Sequence, residues 1–346
     1  MSVASSVTLI APFDEGVPGP EHFQITQSTV PPPEGEGSIQ VKLTGLAADP
    51  FLRGRFKTTN VPVYAPGATI SGFVVGKVVT SNNNANWKEG DIFGSMMEFT
   101  TVQNFTAAQL EKILIWKLTD FIAESELDLG LSILGMPGAT AYGGVVDVLR
   151  PKEGETIWIS AAAGSVGTMT GLLAKHLYNC KTIGSCGGPE KCELIKTKFG
   201  YDHAIDYKAG GSKEELKAAL KAIAPKGIDM YYENVGGAHF EAAFESLAPR
   251  GRIAVCGGIS MYNDKDMKPV SINPMTMVYT SQRIEGFISF TYLTAQREAF
   301  LKTMHGLLRE GKLVPQDTVF EGIDSFGEAM RTIFTSKNIG KVVVHV

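Results

Sequence analysis

A predicted strand, a tight turn and a predicted helix follow one another directly near the middle of the chain, and this segment constrains the fold most. "ETIWIS" (155–160) has the pattern of a short buried strand, and a helix is predicted from about Ser165 to Leu177. The turn between them, "AAAGSVG", carries glycines at 164 and 167. The first glycine lets another molecule approach the backbone closely, and the second lets the helix pack against the strand. The segment therefore predicts a helix amino terminus open to a phosphate group.

The turn lacks the first glycine of the G-x-G-x-x-G pattern, because Ala162 stands there. Alanine is acceptable at this position if its φ stays negative. The motif is weak alone, but strands and helices continue to alternate to about residue 311, which predicts parallel strands joined by right-handed crossovers. We therefore predict an α/β unit with a doubly wound parallel sheet and a dinucleotide bound at its first turn. The predicted contacts in this turn are Ala163, Gly164, Ser165, Val166 and Gly167.

The end of the second predicted strand, "KTIGSC" (181–186), indicates which dinucleotide binds. NAD sites place an acidic residue about 20 residues after the glycine turn, where it holds the ribose 2′-hydroxyl. No acid occurs from Cys180 through Pro189, and Lys191 follows on the first turn of a helix predicted to open at Pro189. A cation beside an open glycine turn favours a 2′-phosphate, so we predict NADPH. Two alternatives remain open: Glu190 is the missing acid, or Lys191 is a solvated helix residue.

The first 130 or so residues predict a β-rich unit of a different kind. Short β-branched or aromatic runs such as "SIQVKLTGLAADP" and "ISGFVVGKVVTS" are separated by stretches rich in glycine, proline and asparagine. This pattern favours a small barrel or a pair of packed sheets. Short strands return from about Lys312, so the C-terminal segment is expected to rejoin the first unit. The expected domains are 1–132 with 312–346, and 133–311.

Composition excludes several classes of protein. With 346 residues and a formal net charge of −4, the chain gives no reason to expect nucleic acid or an anionic membrane as partner. No signal peptide or membrane-spanning run is present, which favours a cytoplasmic protein. The four cysteines form no C-x-x-C pair, and no histidine is placed to complete a site, so no metal is expected.

Several segments together resemble a known family: "AADPFLRGR", "LGMPGATAY", "WISAAAGSVG", "YYENVGG", "RIAVCGGISMYN", "RIEGFIS" and "NIGKVVVHV". They resemble the zinc-independent medium-chain dehydrogenase/reductases, and within them the leukotriene B4 dehydrogenase, prostaglandin reductase and alkenal double-bond reductase group. The resemblance covers nearly the whole chain, in order. It implies a GroES-like N-terminal domain, a Rossmann domain and a homodimer. It also implies NADPH-dependent reduction of the C=C bond of α,β-unsaturated aldehydes or ketones.

The resemblance also implies roles for individual residues. Tyr262 matches the tyrosine proposed to stabilise the enolate, and Tyr64 matches a tyrosine of the substrate cleft. Lys191 and Tyr207 match residues near the 2′-phosphate. The other implied cofactor contacts are Asn234, Cys256, Gly257, Gly258, Ile259, Ser260, Phe287, Ile288, Ser289 and Asn338.

Other interpretations remain open at this point. Tyr262 can be a loop residue that covers the cofactor and takes no part in catalysis. Tyr64 can be a packing residue, and Asn234 can be part of a turn. The chain can also be a quinone reductase of the same superfamily, or a protein that binds NADPH without catalysis. Zinc alcohol dehydrogenation is disfavoured, because the N-terminal half contains no cysteine and only His22.

Overall fold

The computed structural model describes residues 1–59, 64–266 and 268–346. The chain forms two compact units. The first unit contains Met1–Met136 together with Asp317–Val346, and the second unit contains Pro137–Gln316. None of the helices in the described ranges has the length and apolar character that crossing a bilayer requires.

The N-terminal part of the first unit consists mainly of short strands. They are β1 (Ser2–Leu9), β2 (Phe23–Val30), β3 (Ile39–Ala48), β4 (Ser71–Ser81), β5 (Ile92–Glu98), β6 (Val102–Phe105) and β7 (Ile115–Lys117). Between them lie the short helices α1 (Leu52–Arg55) and α2 (Ala107–Leu110), and 3-10 turns at Pro20–His22 and Glu124–Gly130. Strand side chains such as Val41, Leu43 and Val75 are fully buried. Most residues of β3 and β4 are buried, on both faces of the sheet, so these two strands form much of the core of this unit.

The second unit alternates strands with helices, as the sequence predicts. Its strands are β8 (Thr156–Ile159), β9 (Lys181–Cys186), β10 (His203–Asp206), β11 (Ile228–Glu233), β12 (Leu247–Val255) and β13 (Arg283–Gly286). Its helices are α3 (Met136–Tyr142), which continues as a π-helical segment at Gly143–Leu149, α4 (Ser165–Tyr178), α5 (Pro189–Thr197), α6 (Lys213–Ile223), α7 (Gly237–Ser246), α8 (Pro274–Thr280), α9 (Phe290–Leu293) and α10 (Arg297–Arg309), with a 3-10 turn at Ile259–Met261.

The six strands of this unit form one parallel sheet in the order β10-β9-β8-β11-β12-β13. The chain moves outward from β8 to β10 and then returns to the other side of β8, where it continues with β11. The doubly wound prediction is therefore confirmed, and the strand order reverses between β8 and β11. Ligands of such sheets bind beyond the carboxyl ends of the strands, at this reversal. We call this side of the sheet the carboxyl edge.

Local signals explain where the helices of the second unit begin. Pro189 occupies the first turn of α5, where its missing N–H costs no hydrogen bond. Ser212 caps α6 by accepting from the N–H of Glu215, and the Glu215 side chain bonds back to Ser212. Helix α8, which the sequence analysis did not identify, is capped by Asn273 and exposes much of its apolar surface.

The C-terminal segment of the first unit adds β14 (Asp317–Glu321), a 3-10 turn (Ile323–Ser325), α11 (Phe326–Phe334) and β15 (Lys341–His345). Strand β15 pairs antiparallel with β3 and parallel with β14, in a sheet ordered β14-β15-β3-β4-β5-β7. β6 also pairs with β3, and β1 pairs with β2 in a separate hairpin. Lys341 Nζ lies 2.6 Å from Asp49 Oδ1 and donates to the carbonyl of Ala48, and both charged side chains are buried. Because a buried charge that loses its partner is strongly unfavourable, this pair fixes β15 beside the end of β3.

Candidate active site

The turn after β8 places its one left-handed residue at Ala161, whose φ is +50°. Ala162 is not among the described residues with positive φ, so alanine at the first glycine position of the motif introduces no backbone strain there. The N–H of Gly164 donates to the Ala161 carbonyl at 2.9 Å, and the N–H of Ala162 donates to the carbonyl of Ser185 in β9, also at 2.9 Å. These two bonds close the turn and attach it to the neighbouring strand.

Close packing explains the glycines around the turn. A Cβ atom at 167 would lie 2.4 Å from the carbonyl oxygen of Ala161 and 2.7 Å from the Cα of Ala162. A Cβ atom at 184, in β9, would lie 2.7 Å from the Cβ of Ala162. The backbone of Ala161 and Ala162 cannot move aside cheaply, so the first turn of α4 rests directly on the strand end because Gly167 lacks a side chain. In the same way, β9 packs closely against Ala162 because Gly184 lacks a side chain.

The amino terminus of α4 fits a phosphate group. The helix is 14 residues long, and its described first turn carries no acidic side chain. Its backbone N–H groups and macrodipole therefore favour an anion. Ser165 Oγ is buried, and among the described residues it has no hydrogen-bond partner. A buried hydroxyl at a helix amino terminus can donate to a pyrophosphate oxygen, so the residues present fit the predicted dinucleotide.

A second group of polar side chains lies at the ends of β9 and β10. Lys191, on the first turn of α5, is half-buried. Burial lowers the pKa of its ammonium group, and Lys208 is near enough for its charge to lower that pKa further. A Cβ atom at Gly187 would lie 2.8 Å from Tyr207 Oη and 2.9 Å from Lys208 Cε. Glycine at 187 thus lets Tyr207 and Lys208 pack over the turn that precedes Lys191.

Asp206 joins the two loops that carry these residues. Its Oδ1 accepts from the N–H of Gly188 at 2.8 Å and from the N–H of Lys208 at 2.9 Å. The carboxylate is therefore engaged with backbone donors. Two ammonium groups and a phenol converge at this corner of the sheet, which is the donor set expected for a 2′-phosphate.

The loop after β11 is attached to the loop after β8. Asn234 Nδ2 donates to the carbonyl of Ser160 at 2.8 Å, and the backbone N–H of Asn234 donates to Ser160 Oγ at 2.9 Å. The amide of Asn234 thus ties two strand ends together at the carboxyl edge. A direct contact of Asn234 with a cofactor stays a prediction.

The loop after β12, Cys256–Tyr262, carries the predicted catalytic phenol. The N–H of Gly258 donates to Tyr262 Oη at 3.1 Å. Burial raises the pKa of the Tyr262 phenol, so the hydroxyl stays protonated at neutral pH. Because its oxygen is the acceptor in the bond to Gly258, the O–H proton is left for a further acceptor. Burial also raises the pKa of Cys256, to about 12, so this thiol on the same loop stays neutral.

The segment after β13 was also expected at the cofactor. The Phe287 ring lies 6.2 Å from the ring of Tyr232 in β11, edge to face, and a Cβ atom at Gly144 would lie 2.8 Å from Phe287 Cζ. Ile288 is 65% exposed, and Ser289 directly precedes α9. The structure therefore places Phe287, Ile288 and Ser289 at the carboxyl edge, with Phe287 packed into the sheet.

Two predicted residues belong to the first unit. The hydroxyl of Tyr64 accepts from the N–H of Ser71 at 2.9 Å and lies 3.1 Å from Ser71 Oγ. The guanidinium of Arg55 sits over the Tyr64 ring, 4.7 Å from its centroid, and donates to the Ser71 carbonyl. Asn338 Nδ2 donates to the carbonyl of Gly340 at 3.2 Å. The roles of Tyr64 at the substrate and Asn338 at the cofactor stay predictions.

Neither a metal centre nor a disulfide is found in the part of the chain that the structure describes. No group of three or more histidine, cysteine, aspartate or glutamate side chains is arranged there to hold a metal ion. Cys180, Cys186, Cys192 and Cys256 are free thiols. The sulfurs of Cys186 and Cys192 lie 3.5 Å apart without a bond between them.

Sequence reasoning missed three residues of this site. Lys208 directly follows Tyr207 in "DYK", so a signal for it was present. Ser160 and Glu233 lie within the family segments "WISAAAGSVG" and "YYENVGG", but a serine or glutamate at a strand end does not by itself indicate a role. Only the hydrogen bonds show that both hold the loops of the carboxyl edge.

Comparison with known proteins places these features in a family. Residues 165–306 match the model of a zinc-binding dehydrogenase family, and residues 7–113 match that of the N-terminal domain of oxidoreductases. The chain is 36% identical to the NADP(+)-dependent 2-alkenal reductase of Nicotiana tabacum, over 99% of this chain and 98% of that protein. It is 34% identical to prostaglandin reductase 1 of Mus musculus, over 99% of each. The crystal structure of CurA from Vibrio vulnificus in complex with NADPH superposes with a TM-score of 0.85 at 31% identity, covering 99% of each chain.

These matches span both units and confirm the resemblance that the sequence motifs suggested. The family models cover most of the chain, and the curated relatives extend over nearly all of it. The chain belongs to the medium-chain dehydrogenase/reductases, in the zinc-independent group that contains the alkenal and prostaglandin reductases.

Proposed function

We propose that this protein is an NADPH-dependent reductase of the C=C bond of α,β-unsaturated aldehydes and ketones. The observation that carries the proposal is the protonated phenol of Tyr262 on the loop after β12, at the same edge of the sheet as the α4 amino terminus. The printed activities of the relatives support it, since they include a 2-alkenal reductase, a (+)-pulegone reductase and a curcumin reductase that depends on NADPH.

The chain's own residues would hold the cofactor at two places. The α4 amino terminus and Ser165 Oγ bind the pyrophosphate, while Lys191, Lys208 and Tyr207 bind the 2′-phosphate. NADPH, when bound, supplies the hydride that adds to the β-carbon of the substrate. A phosphate dianion between the two ammonium groups relieves their mutual repulsion and the cost of burying Lys191, so the phosphorylated nucleotide is preferred over NADH.

Tyr262 acts on the carbonyl oxygen of the substrate. Negative charge builds on that oxygen as the β-carbon is reduced, and a neutral phenol stabilises it by donating a hydrogen bond. The hydrogen bond from Gly258 fixes the phenol oxygen and stabilises negative charge that develops on it. Protonation at the α-carbon then comes from solvent or through Tyr262.

The function is tested with a substrate panel and both nicotinamide cofactors. We expect NADPH oxidation with 4-hydroxynonenal-like enals and benzylidene ketones, followed at 340 nm, and little activity with NADH. Much faster turnover of quinones would instead identify a quinone reductase. Tight NADPH binding without turnover of either class would identify a binding protein.

The 2′-phosphate site is tested with Lys191→Ala. Because a hydrogen bond to a charged group contributes about 1.5–3 kcal/mol, we expect the KM for NADPH to rise roughly 10- to 100-fold with much less change for NADH. The control is Lys196→Ala on the same helix, where the lysine is exposed and paired with Glu193. Equal effects of Lys191→Ala on both cofactors would refute the assignment.

The phenol is tested with Tyr262→Phe, which keeps the ring and removes the hydroxyl. Loss of one such donor lowers kcat by roughly 100-fold, and the Kd for NADPH should stay near that of the wild type. Because burial raises the pKa of Tyr262, a decline of wild-type kcat from ionisation of this phenol should begin at a higher pH than for an ordinary tyrosine. Tyr279→Phe, at an 82% exposed tyrosine, serves as the control. Unchanged turnover in Tyr262→Phe would remove the donor role.

We also propose a cytoplasmic homodimer. A reducing compartment is supported by the free thiols of Cys186 and Cys192, which stay unbonded although their sulfurs are close.

Dimerisation is supported by β13, the last strand of its sheet, whose outer backbone edge can pair with a second copy. Close to β13 in the sequence, Val278 is 66% exposed and Ile288 is 65% exposed.

The dimer is tested by light scattering after size exclusion. The wild type should run as a dimer, and Val278→Glu should shift it to a monomer, because the new charge would have to be buried without a partner. Val319→Glu, at an exposed valine on the edge strand β14 of the first unit, should leave the dimer intact. A monomeric wild type contradicts the proposal.

A further inference from the structure

The buried carboxyl group of Glu233, at the end of β11, is surrounded by several hydrogen-bond donors. Glu233 is 1% exposed. Its Oε1 accepts from the backbone N–H groups of Val235 at 2.5 Å and Gly236 at 2.9 Å. The hydroxyl of Tyr231 donates to the same oxygen at 3.1 Å, and that of Ser160 lies 3.3 Å away. The two N–H groups and the Tyr231 hydroxyl donate to Oε1, so this place requires an acceptor. The Ser160 hydroxyl lies equally close, at 3.3 Å, to the Tyr232 carbonyl and shares its one proton between the two oxygens.

The two backbone bonds shape the turn after β11. They point the N–H groups of Val235 and Gly236 back at the carboxylate, which bends the chain sharply. Gly236 has a φ of +84° and Gly237 a φ of +53°. A side chain at 236 would be strained by this φ, and its Cβ would lie 2.8 Å from Met261 Cε. The Glu233 carboxylate therefore stabilises a turn that packs tightly on the following loop.

The following loop carries Tyr262, and hydrogen bonds attach the backbone of this loop to the turn after β11. The N–H of Ile259 donates to the Asn234 carbonyl, and the N–H of Ser260 donates to the Val235 carbonyl, both at 3.1 Å. Ser260 Oγ reaches the same Val235 carbonyl at 2.6 Å. If the turn shifts, the loop from 256 to 262 shifts with it.

Glu233 is linked in the other direction to the phosphate turn. Ser160 Oγ, beside Oε1, also accepts from the N–H of Asn234, and the carbonyl of Ser160 accepts from the Asn234 amide. Ser160 directly precedes Ala161, where the turn into α4 begins. One carboxyl group thus bridges the segment expected at the pyrophosphate and the segment that bears the phenol.

We propose that Glu233 is a positioning residue for the reduction, because it holds the loop of Tyr262 in register with the turn before α4. The inference rests on the proposed function. The second oxygen, Oε2, is buried and has no hydrogen-bond partner among the described residues. Burying Oε2 without a hydrogen-bond partner is unfavourable. The hydrogen bonds at Oε1 therefore stabilise the Glu233 side chain in this position. Glutamine also offers an acceptor at Oε1, whereas methionine has a similar length and offers no comparable acceptor.

The test compares Glu233→Gln with Glu233→Met. We expect Glu233→Gln to keep kcat within about threefold, and Glu233→Met to lower kcat roughly 10- to 100-fold, as misplacement of a reacting group does. The control is Glu155→Met: Glu155 pairs with Arg252 at the opposite, amino end of β8. It should lower the melting temperature and leave kcat unchanged. A loss in Glu233→Gln as large as in Glu233→Met, or no loss in either, overturns the proposal.

A double-mutant cycle separates positioning from general damage. In the Tyr262→Phe background, Glu233→Met should change kcat by less than about threefold, because the group that it positions is already absent. An equal loss of kcat in both backgrounds shows that Glu233 does not act through Tyr262. If Glu233→Met does not fold, Ser160→Ala takes its place in the cycle, with a smaller loss of kcat that likewise shrinks in the Tyr262→Phe background.

Amide hydrogen exchange does not depend on turnover, so it tests the role of Glu233 separately from the proposed function. Amide hydrogen exchange of residues 256–262 should become faster in Glu233→Met and stay near the wild-type rate in Glu233→Gln and Glu155→Met. If wild-type protein reduces no enal, the proposed function fails, and unchanged exchange in Glu233→Met would separately refute the positioning of the loop. Normal enal reduction with unchanged exchange would refute only the role of Glu233.

Discussion

The contact on which the second unit depends is the one between the first turn of α4 and the end of β8. Gly167 lies against the carbonyl of Ala161, and Gly184 of the neighbouring strand lies against Ala162, at distances that exclude a β-carbon. This contact brings the amino terminus of α4 to the carboxyl edge of a parallel sheet, where the strand order reverses. The backbone N–H groups there can meet an anion without a large side chain between them.

The polar groups at this edge have two kinds of role. Some hold neighbouring loops together, and others are expected to bind the cofactor or the substrate. Asp206, Asn234 and Ser160 use their side chains to hold neighbouring loops together. Burial makes a charged or polar partner favourable for the Lys191 ammonium and for the hydroxyls of Ser165 and Tyr262, whereas the Lys208 ammonium is exposed. A half-buried ammonium gains from a phosphate, and a buried neutral phenol gains from a developing negative charge. The chemistry that we propose uses these groups, and the anchoring residues keep them in place.

The first unit is held together by a different means. Its strands come from both ends of the chain, and the buried pair of Lys341 and Asp49 joins the last strand to the third. Arg53, also fully buried, donates to the carbonyls of Phe13, Asp14 and Gly16 and so orders the segment before Pro20. Both cations satisfy backbone or carboxylate acceptors inside the unit, which gives them structural rather than chemical roles.

The sequence by itself determined the alternation of strands and helices from β8 to α10, the helix starts at Ser165 and Pro189, and the glycine turn, because these follow from local periodicity, capping and backbone freedom. Its motifs determined the family to which the chain belongs. Only the tertiary structure decided that the positive φ falls on Ala161, that Lys208 joins Lys191 across two loops, and that Glu233 bridges two strand ends. Those facts depend on which strands become neighbours in the sheet. Residues separated by 73 positions, such as Ser160 and Glu233, carry no local pattern of their pairing.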